Sequence, residues 1–365
     1  MTSNVKRVLM TADTIGGVWV FAMELIRELE KKNIEVILAT MGKEVNSDQL
    51  KQIRELKNII LEESSYKLEW MQDPWSDISK AGDWLLNLEM KYAPDLIHLN
   101  EYSYASISWN SPVILTAHSC VYSWFSEVKG ILPDNYWKTY REKVTSALNS
   151  AELVVAPTKT MMDYLNKFYG SFDLRKVISN GRNSKAFSPS EKEAYIFSAG
   201  RLWDEAKNIR LVAEVSPLLS WPVYVAGDYK NPDKEEIYFD NVNWLGIINE
   251  KRMAEMFSHA SIYTLPAKYE PFGLSILEAA MSECALVLGS IDSLLEIWEG
   301  CALFVDPNDP EELNAALQDL IEDEDYRLQL SSLARNRSKD YSSVRMGNEY
   351  IKVYEQIKQL KTQTI

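Results

Sequence analysis

The chain of 365 residues is predicted to fold as an α/β protein with two Rossmann-like, doubly wound domains that face a deep interdomain cleft. Short apolar strands alternate with amphipathic helices in both halves of the sequence. A polar segment at 180–194, which contains Pro189, interrupts this alternation. Because the chain also exceeds the roughly 100 to 200 residues of an ordinary domain, we expect a first domain at 1–185 and a second at 186–343.

The first half opens with an apolar strand at 5–11, a loop with Gly16 and Gly17, an amphipathic helix at 18–31 and a strand at 34–39. Three further strands are expected in the texts PDLIHL, PVILTA and AELVVA. Strands that alternate with helices in this way form a parallel sheet covered by helices.

The second half repeats the pattern, with a strand at 195–199, a helix at 208–215 and strands in the texts VYVA, VNWL, IYTL and ALVL. Helices are expected at 309–322 and 326–339. A last amphipathic helix at about 344–365 is predicted to cross back to the first domain. Ligands of such sheets bind at the carboxyl ends of the strands, so the motifs are expected to meet there.

Composition narrows the classes of function. A net charge of -14 argues against nucleic-acid binding through the overall field, and 46% hydrophobic residues indicate an ordinary globular protein. The three cysteines have neither a disulfide pattern nor zinc spacing, which suits a reducing compartment. With no signal peptide and no run of roughly 20 apolar residues, we expect a cytoplasmic protein, and peripheral contact with the inner face of a membrane stays open.

The first chemical motif is AGRLWDEAKN at 199–208, which places Arg201 and Lys207 between a strand and a helix. Two fixed cations at this position suit a diphosphate, whose negative charge they neutralise. The structural alternative is a solvated loop in which Arg201 pairs with Asp204 or Glu205. The spacing alone leaves the two interpretations equal.

The second motif is KYEPFGLSILEAA at 268–280, in which Glu270 lies in a loop and Glu278 lies about one turn inside the next helix. The first amides of that helix are donors for phosphate and sugar oxygens, and they belong to Phe272, Gly273, Leu274 and Ser275. Two glutamates by themselves are more typical of a solvated helix face.

Together and in this order, the two motifs resemble the family four retaining glycosyltransferases, which have the GT-B fold and assemble bacterial polysaccharides. The resemblance covers nearly the whole chain. It also includes the TAHS text with His118, the VISNG text that ends at Gly181, and the WLGII text around Gly246.

The resemblance implies roles for individual residues. Arg201 and Lys207 would hold the diphosphate, Glu270 and the backbone of Phe272, Gly273 and Leu274 the donor sugar, and Glu278 the ribose. Ile248 would meet the nucleobase, and Gly16 and Gly17 would let the first loop approach the phosphate. His118 would lie beside the sugar, although a histidine satisfied at the strand edge is the structural alternative. His98 and His259 are interpreted as structural.

The resemblance further implies a hexosyltransferase that needs no metal and works by front-face attack, with Glu270 positioning the sugar rather than attacking it. The only Asp-x-Asp text, at 323–325, is interpreted as a solvated acidic turn. Domain closure is expected, since the donor residues belong to the second domain and His118 and Gly16 to the first.

Donor and acceptor identities depend on family habit: UDP-glucose is the first choice, and the acceptor is expected to be a glycan or a lipid-linked glycan. Tyr122 and Trp124 are candidates for an acceptor groove, and a packed helix with one buried face is an equal alternative. The sequence departs from the family at Arg182 and Asn183, where an apolar residue and Asp are common. We expect that departure to affect the linker more than the chemistry.

Other functions stay open on this scaffold. They are a sugar-nucleotide epimerase, a glycan phosphorylase and a nucleotide-sugar-binding protein without catalysis. An NAD-dependent oxidoreductase is disfavoured because the Gly-x-Gly-x-x-Gly fingerprint is missing.

Overall fold

The structure is a computed structural model that describes residues 5–230 and 236–363. It divides into two compact units. The first comprises Met1–Phe125, Ile131–Gly181 and Ser343–Ile365, and the second comprises Ser126–Gly130 and Arg182–Ser342. Apart from the short segment Ser126–Gly130, the chain enters the second unit at Arg182 and leaves it at Ser342, slightly before the boundaries expected from the sequence.

The first unit is built on a parallel sheet of 7 strands in the order β3-β2-β1-β4-β5-β6-β7. Its strands are β1 Arg7–Asp13, β2 Glu35–Met41, β3 Ile59–Glu63, β4 Leu96–Leu99, β5 Val113–Thr116, β6 Leu153–Ala156 and β7 Arg175–Val177. All residues of β4, β5 and β6 are buried, as expected for strands covered on both faces. The strand order reverses direction between β1 and β4, which places their carboxyl ends at the switch point of the sheet.

Six helices of the first unit precede the crossing into the second. They are α1 Gly17–Glu30, α2 Ser47–Arg54, α3 Trp75–Tyr92, α4 Val121–Trp124, α5 Lys138–Ser150 and α6 Lys159–Tyr169. Local sequence sets several starts: Asn46 and Gln49 form a capping box at α2, and the Thr158 side chain accepts from the Met161 amide at α6.

The second unit has a parallel sheet of 6 strands in the order β10-β9-β8-β11-β12-β13. Its strands are β8 Glu193–Ala199, β9 Val223–Ala226, β10 Asn243–Trp244, β11 Ala260–Leu265, β12 Ala285–Gly289 and β13 Leu303–Val305. Its helices are α7 Ile209–Val215, α8 Glu250–His259, α9 Leu274–Met281, α10 Asp292–Trp298, α11 Pro310–Glu322 and α12 Glu324–Ser338. Here the switch point lies between β8 and β11, and the two chemical motifs follow these two strands.

The last helix, α13 Ser343–Gln363, belongs to the first unit. Tyr350 and Tyr354 are fully buried in the core of that unit. Helix α13 approaches α1 closely at Gly347, where an added Cβ would lie 2.4 Å from the Cβ of Glu28. Among the helices described, none is both long enough and apolar enough to cross a membrane.

Candidate active site

The loop after β8 carries Arg201, the first of the two cations of the diphosphate motif. Arg201 Nη2 donates to Asp204 Oδ2 at 2.5 Å, and the guanidinium lies 4.9 Å from the Trp203 ring centroid. The ion pair that the sequence offered as the alternative is therefore present. Its acid is buried rather than solvated, since Asp204 is 6% exposed, while the Arg201 side chain keeps 36% exposure.

Asp204 links the two cations of the motif. Burial raises the pKa of its carboxyl, but the positive charges of Arg201 and Lys207 outweigh burial and hold the pKa below its usual range. The Lys207 amide also donates to the Asp204 carbonyl at 2.9 Å, which closes a turn. A carboxylate that stays charged beneath both side chains keeps them together before any ligand binds.

Lys207 joins the two motifs. Its Nζ donates to Glu270 Oε2 at 2.5 Å, across a sequence separation of 63 residues. Both side chains are largely buried, with 20% and 11% exposure. The loop of the diphosphate motif and the loop of the glutamate motif therefore form one charged cluster at the switch point of the second sheet.

Gly227 allows the strand ends to approach each other at this cluster. It has φ +154, and a Cβ built on it would lie 1.7 Å from the carbonyl oxygen of Gly200. The Gly200 amide in turn donates to the Ala226 carbonyl at 2.9 Å. Only a residue without a side chain fits here, so Gly227 fixes the path of the loop that carries Arg201.

The loop that carries Glu270 is fixed by a hydrogen bond from Ser293 and leads into α9. Ser293 Oγ donates to the Glu270 carbonyl at 2.6 Å. Gly273 then turns the chain with φ 88 directly before α9, and Phe272 lies buried against Tyr341. The amides of Leu274 and Ser275 belong to the first turn of this helix, where backbone donors have no partner within the helix.

Glu278 is paired with Arg182, the residue that the sequence analysis placed in the linker. Arg182 Nε lies 2.7 Å from Glu278 Oε1, and its Nη2 donates to Glu250 Oε1 at 2.9 Å. Arg182 is 3% exposed, and its guanidinium lies 4.8 Å from the Phe187 ring centroid. The residue that departs from the family text therefore contacts the carboxylate expected to bind ribose.

The residue expected to meet the nucleobase follows β10. Ile248 is half-buried against the core of the second unit. Gly246, two residues earlier, has φ 73, and its carbonyl accepts from the Gly227 amide at 3.0 Å. This bond links the Ile248 segment to the strand end beside Arg201.

Gly16 and Gly17 lie at the carboxyl end of β1 in the first unit. Gly16 has φ 130 and precedes α1, which begins at Gly17. Both glycines are exposed, so the backbone of this loop is accessible to a ligand.

His118 lies just after β5, in the first unit. Its Nε2 is 2.7 Å from Asn100 Oδ1, and the Phe21 ring packs against it with centroids 4.6 Å apart. Burial lowers the pKa of His118 to about 3, so the ring is neutral at physiological pH.

The other two histidines have structural surroundings. His98 is fully buried between Tyr354 Oη at 2.6 Å and Thr116 Oγ1 at 2.7 Å, and thereby ties β4 to α13 and β5. His259 lies at the end of α8 with Nδ1 3.0 Å from the Glu191 carbonyl oxygen.

The two aromatic candidates for an acceptor groove differ in exposure. Tyr122 is 7% exposed and packs against Tyr169 and Phe168, so its ring is not available to stack on a sugar. For Tyr122 the expectation is therefore corrected: the packed-helix alternative describes it. Trp124 is half-buried beside Phe125 and stays a prediction.

In the Asp-x-Asp text, Asp323 lies between α11 and α12, and Asp325 belongs to the first turn of α12. Asp323 caps α12 by accepting from the Tyr326 amide at 2.9 Å. Within residues 5–230 and 236–363, no three His, Cys, Asp or Glu side chains are grouped in a way that could hold a metal ion.

The sequence alone did not assign three residues to the candidate site. Asp204 and Arg182 were seen, but as a surface partner and a linker residue. Asn100 carried no signal beyond its position one residue after β4, and its side chain is the partner of His118. Polar residues directly after buried strands are the signal that finds it, because such positions line the switch point.

Two family models match the chain. Residues 15–185 match the model described as Glycosyltransferase Family 4, and residues 180–337 match the model described as Glycosyl transferases group 1. Together they cover both units and every motif that carried the resemblance.

Curated relatives agree with these models. An uncharacterized glycosyltransferase of Methanocaldococcus jannaschii is 20% identical over 387 aligned positions, which cover 93% of this chain and 94% of that protein. O-antigen chain mannosyltransferase B of Escherichia coli is 25% identical over 114 residues, which cover 31% of this chain and only 30% of that protein.

Solved structures show the same fold at low identity. Sucrose-phosphate synthase from Thermosynechococcus elongatus superposes with a TM-score of 0.80 at 18% identity, covering 96% of this chain and 99% of that one. Anabaena HepE in complex with UDP-glucose gives a TM-score of 0.76 at 15% identity, covering 96% and 99%. The expected GT-B fold and family are confirmed: the chain belongs to glycosyltransferase family 4, of the group 1 type, and is an enzyme that transfers a sugar from a nucleotide-sugar.

Proposed function

We propose that this enzyme is a metal-independent, retaining hexosyltransferase that moves a hexose, glucose from UDP-glucose as the first choice, to a glycan or glycolipid acceptor. The observation that carries the proposal is the cluster of Arg201, Asp204, Lys207 and Glu270. It brings two cations and the Glu270 carboxylate together in one largely buried cluster, in which Arg201 keeps part of its side chain exposed.

The cations act on the leaving group. When the bond between the sugar C1 and the diphosphate oxygen breaks, negative charge develops on the diphosphate. Arg201 and Lys207 stabilise this charge by exchanging part of their pairing with Asp204 and Glu270 for phosphate oxygens. Because Asp204 is buried and fixed, the cations need little reorganisation to receive the ligand.

Retention follows from attack on the same face of the sugar. The departing phosphate oxygen accepts the proton of the acceptor hydroxyl, while the acceptor oxygen forms the new bond to C1. Glu270 orients the sugar through the sugar hydroxyls. Lys207 holds the Glu270 carboxylate for this task, and the Ser293 hydroxyl holds the Glu270 backbone by donating to its carbonyl oxygen.

The two units divide the substrates. The second unit binds the nucleotide-sugar through the cluster and through Glu278, and the first unit binds the acceptor. UDP-glucose is supported by its presence in the Anabaena structure of the same fold, and a surface-glycan acceptor by the likeness to the O-antigen enzyme. Such an acceptor is made at the cytoplasmic face of the membrane, where this enzyme would work as a peripheral protein.

Substitution of Glu270 by Ala tests the assignment against a binder without catalysis. We expect kcat to fall by roughly 100-fold or more while the affinity for the free nucleotide changes little, because the lost contact is to the sugar. The matched control is Glu255→Ala, which removes an exposed glutamate paired with Arg252 on α8. Equal small losses in both variants would contradict the assignment.

Analysis of the product tests retention of configuration, and addition of a chelator tests metal independence. Proton NMR of the product should show the anomeric configuration of the donor, and transfer should continue in EDTA. An inverted product rules out front-face attack in this enzyme. Loss of transfer in EDTA with recovery in magnesium or manganese rules out metal independence.

A further inference from the structure

We infer that Asn100 is a positioning residue that holds His118 in the tautomer with the proton on Nε2 and leaves Nδ1 to accept a hydrogen bond from a substrate hydroxyl. The tautomer follows from contacts within the first unit alone. Its use toward a sugar rests on the proposed function.

The Asn100 side-chain amide can be oriented in only one way, because the backbone carbonyl oxygen beside it can accept a hydrogen bond but cannot donate one. Asn100 Nδ2 lies 2.6 Å from the backbone carbonyl oxygen of Thr11, and a carbonyl oxygen only accepts. The NH₂ group must therefore point to Thr11. The Asn100 backbone amide also donates to Thr11 Oγ1 at 2.9 Å, so the residue is anchored at two points.

With the NH₂ group committed to Thr11, the Asn100 Oδ1 atom faces His118. The 2.7 Å contact between Oδ1 and His118 Nε2 requires a donor on the histidine, because the oxygen carries no hydrogen. His118 Nε2 is therefore protonated. Asn100 is 7% exposed and Thr11 is fully buried, so the two bonds that anchor Asn100 to Thr11 are shielded from water.

The ring carries one proton and no charge. Burial lowers the pKa of His118 to about 3, so the neutral form is present at physiological pH. In a neutral imidazole with Nε2 protonated, Nδ1 has a lone pair. The contacts of His118 described here are those of Nε2 with Asn100 and of the ring with Phe21.

The protonation state of His118 determines which substrate groups the ring can bind. A neutral Nδ1 accepts from a sugar or alcohol hydroxyl, whereas it neither donates to a phosphate oxygen nor protonates a leaving group. His118 therefore recognises a hydroxyl group of donor sugar or acceptor, and it does not act as a general acid. The preference of His118 for a hydroxyl partner therefore depends on Asn100, which lies one residue beyond β4.

The tautomer is directly measurable because the chain contains only 3 histidines. Long-range ¹H–¹⁵N correlation spectra of the full chain, without substrate and near neutral pH, should show His118 with a protonated Nε2 and an unprotonated Nδ1. Asn100→Asp keeps an acceptor oxygen for Nε2 but cannot donate to the Thr11 carbonyl, so it should keep the proton on Nε2 in a less firmly fixed ring. Asn100→Ala removes the acceptor and should abolish the preference. Thr11→Val removes the Oγ1 atom that accepts from the Asn100 backbone amide but keeps the carbonyl that orients the Asn100 side chain, so the tautomer should persist in this variant.

Kinetics with UDP-glucose, or with whichever nucleotide-sugar is turned over, test the use of Nδ1. Asn100→Ala should lower kcat by roughly 10- to 100-fold, as for other partners that orient a functional histidine, and Asn100→Asp should lower it less because it keeps the acceptor for Nε2. Matching melting temperatures and amide spectra show that a variant is folded.

Each outcome decides a separate statement. A wild-type His118 protonated on Nδ1, or a tautomer that Asn100→Ala leaves unchanged, overturns the role of Asn100. The expected tautomer together with full turnover by Asn100→Ala overturns the use of Nδ1. In neither case is the proposed function lost, because the donor cluster is tested separately through Glu270 and Lys207.

Discussion

Arg182 is a buried arginine that faces two carboxylates, those of Glu278 and Glu250. Its contacts lie within the second unit, although the chain enters that unit at Arg182 itself. A single guanidinium thus neutralises the carboxylate proposed to bind ribose and fixes its direction. A family member with an apolar residue here has to hold that glutamate by other means.

Substitution of Arg182 by Leu, an apolar residue of the kind common in the family, should destabilise the second unit by about 3 to 5 kcal/mol, because it leaves two carboxylates without their buried cation. Urea unfolding measures the loss. The control is Arg252→Leu, which removes an exposed arginine of α8. Equal stability of the two variants would show that Arg182 and Glu278 do not interact as described.

Glu101 predicts a dependence of stability on pH. Burial raises the pKa of this carboxyl to about 8, and the negative charges of Asp13 and Glu69 add to the effect. Between the unfolded value of 4.5 and about 8, the folded state holds a proton that the unfolded chain releases, so the stability falls as the pH rises.

Glu101→Gln should therefore remove part of this loss, at most about 1.4 kcal/mol for each pH unit in that window. The measurement is the free energy of unfolding of wild type and variant at about pH 5 and about pH 8. Glu55→Gln changes an exposed glutamate and should follow the wild type. A wild-type difference between the two pH values that Glu101→Gln reproduces in full would contradict the prediction.

At the scale of elements, the functional loops occur where strands end at the switch point of each sheet. In the second unit, β8 is followed by the loop with Arg201 and β11 by the loop with Glu270, and these strands are neighbours. In the first unit, β1 and β4 are neighbours and end near Thr11 and Asn100. Parallel order thus brings distant sequence motifs together.

Gly227→Ala tests this closeness of strand ends. The new methyl group would overlap the Gly200 carbonyl, and the backbone at φ +154 disfavours a side chain. We expect a loss of about 1 to 3 kcal/mol or more in stability and a larger loss in nucleotide affinity, because the Arg201 loop must move. Gly82→Ala in α3 is the control, since an added Cβ there would meet its nearest neighbour, the Ile107 side chain, at 3.8 Å. Unchanged affinity in Gly227→Ala would separate this loop from the site.

For the whole molecule, the two sheets were predictable because buried parallel strands have continuous apolar texts, such as LIHL and VILT. Of the edge strands, β10 was predicted in the text VNWL, whereas β3 and β7 were not. β3 and β7 show no buried residue, so they lack the continuous buried pattern of the central strands. Periodicity predicted α13, and its burial against α1 through Gly347 became visible only in three dimensions.

The candidate site was predictable to a similar degree. Motif order placed Arg201, Lys207, Glu270 and Glu278 near one ligand, and the structure joins Lys207 to Glu270. Asp204 was named only as the partner of Arg201 in a solvated loop, because spacing does not show that the pair is buried. Arg182 and Asn100 were not assigned to the site, because their contacts with Glu278 and His118 join different segments of the chain. The spacing of residues within one segment does not reveal contacts with another segment.

The most direct test of the account is a thermal-shift screen of UDP-, GDP- and ADP-sugars and their free nucleotides, with wild type and Lys207→Met side by side. A ligand that binds only the folded state stabilises it by about 2.7 kcal/mol at 100 times its Kd. We expect at least one nucleotide family to raise the Tm of wild type and to lose most of this effect in Lys207→Met, while Lys51→Met, an exposed lysine of α2, retains it. If no nucleotide at millimolar concentration shifts the wild type, or if Lys207→Met responds as the wild type does, the donor cluster is not where the nucleotide-sugar binds.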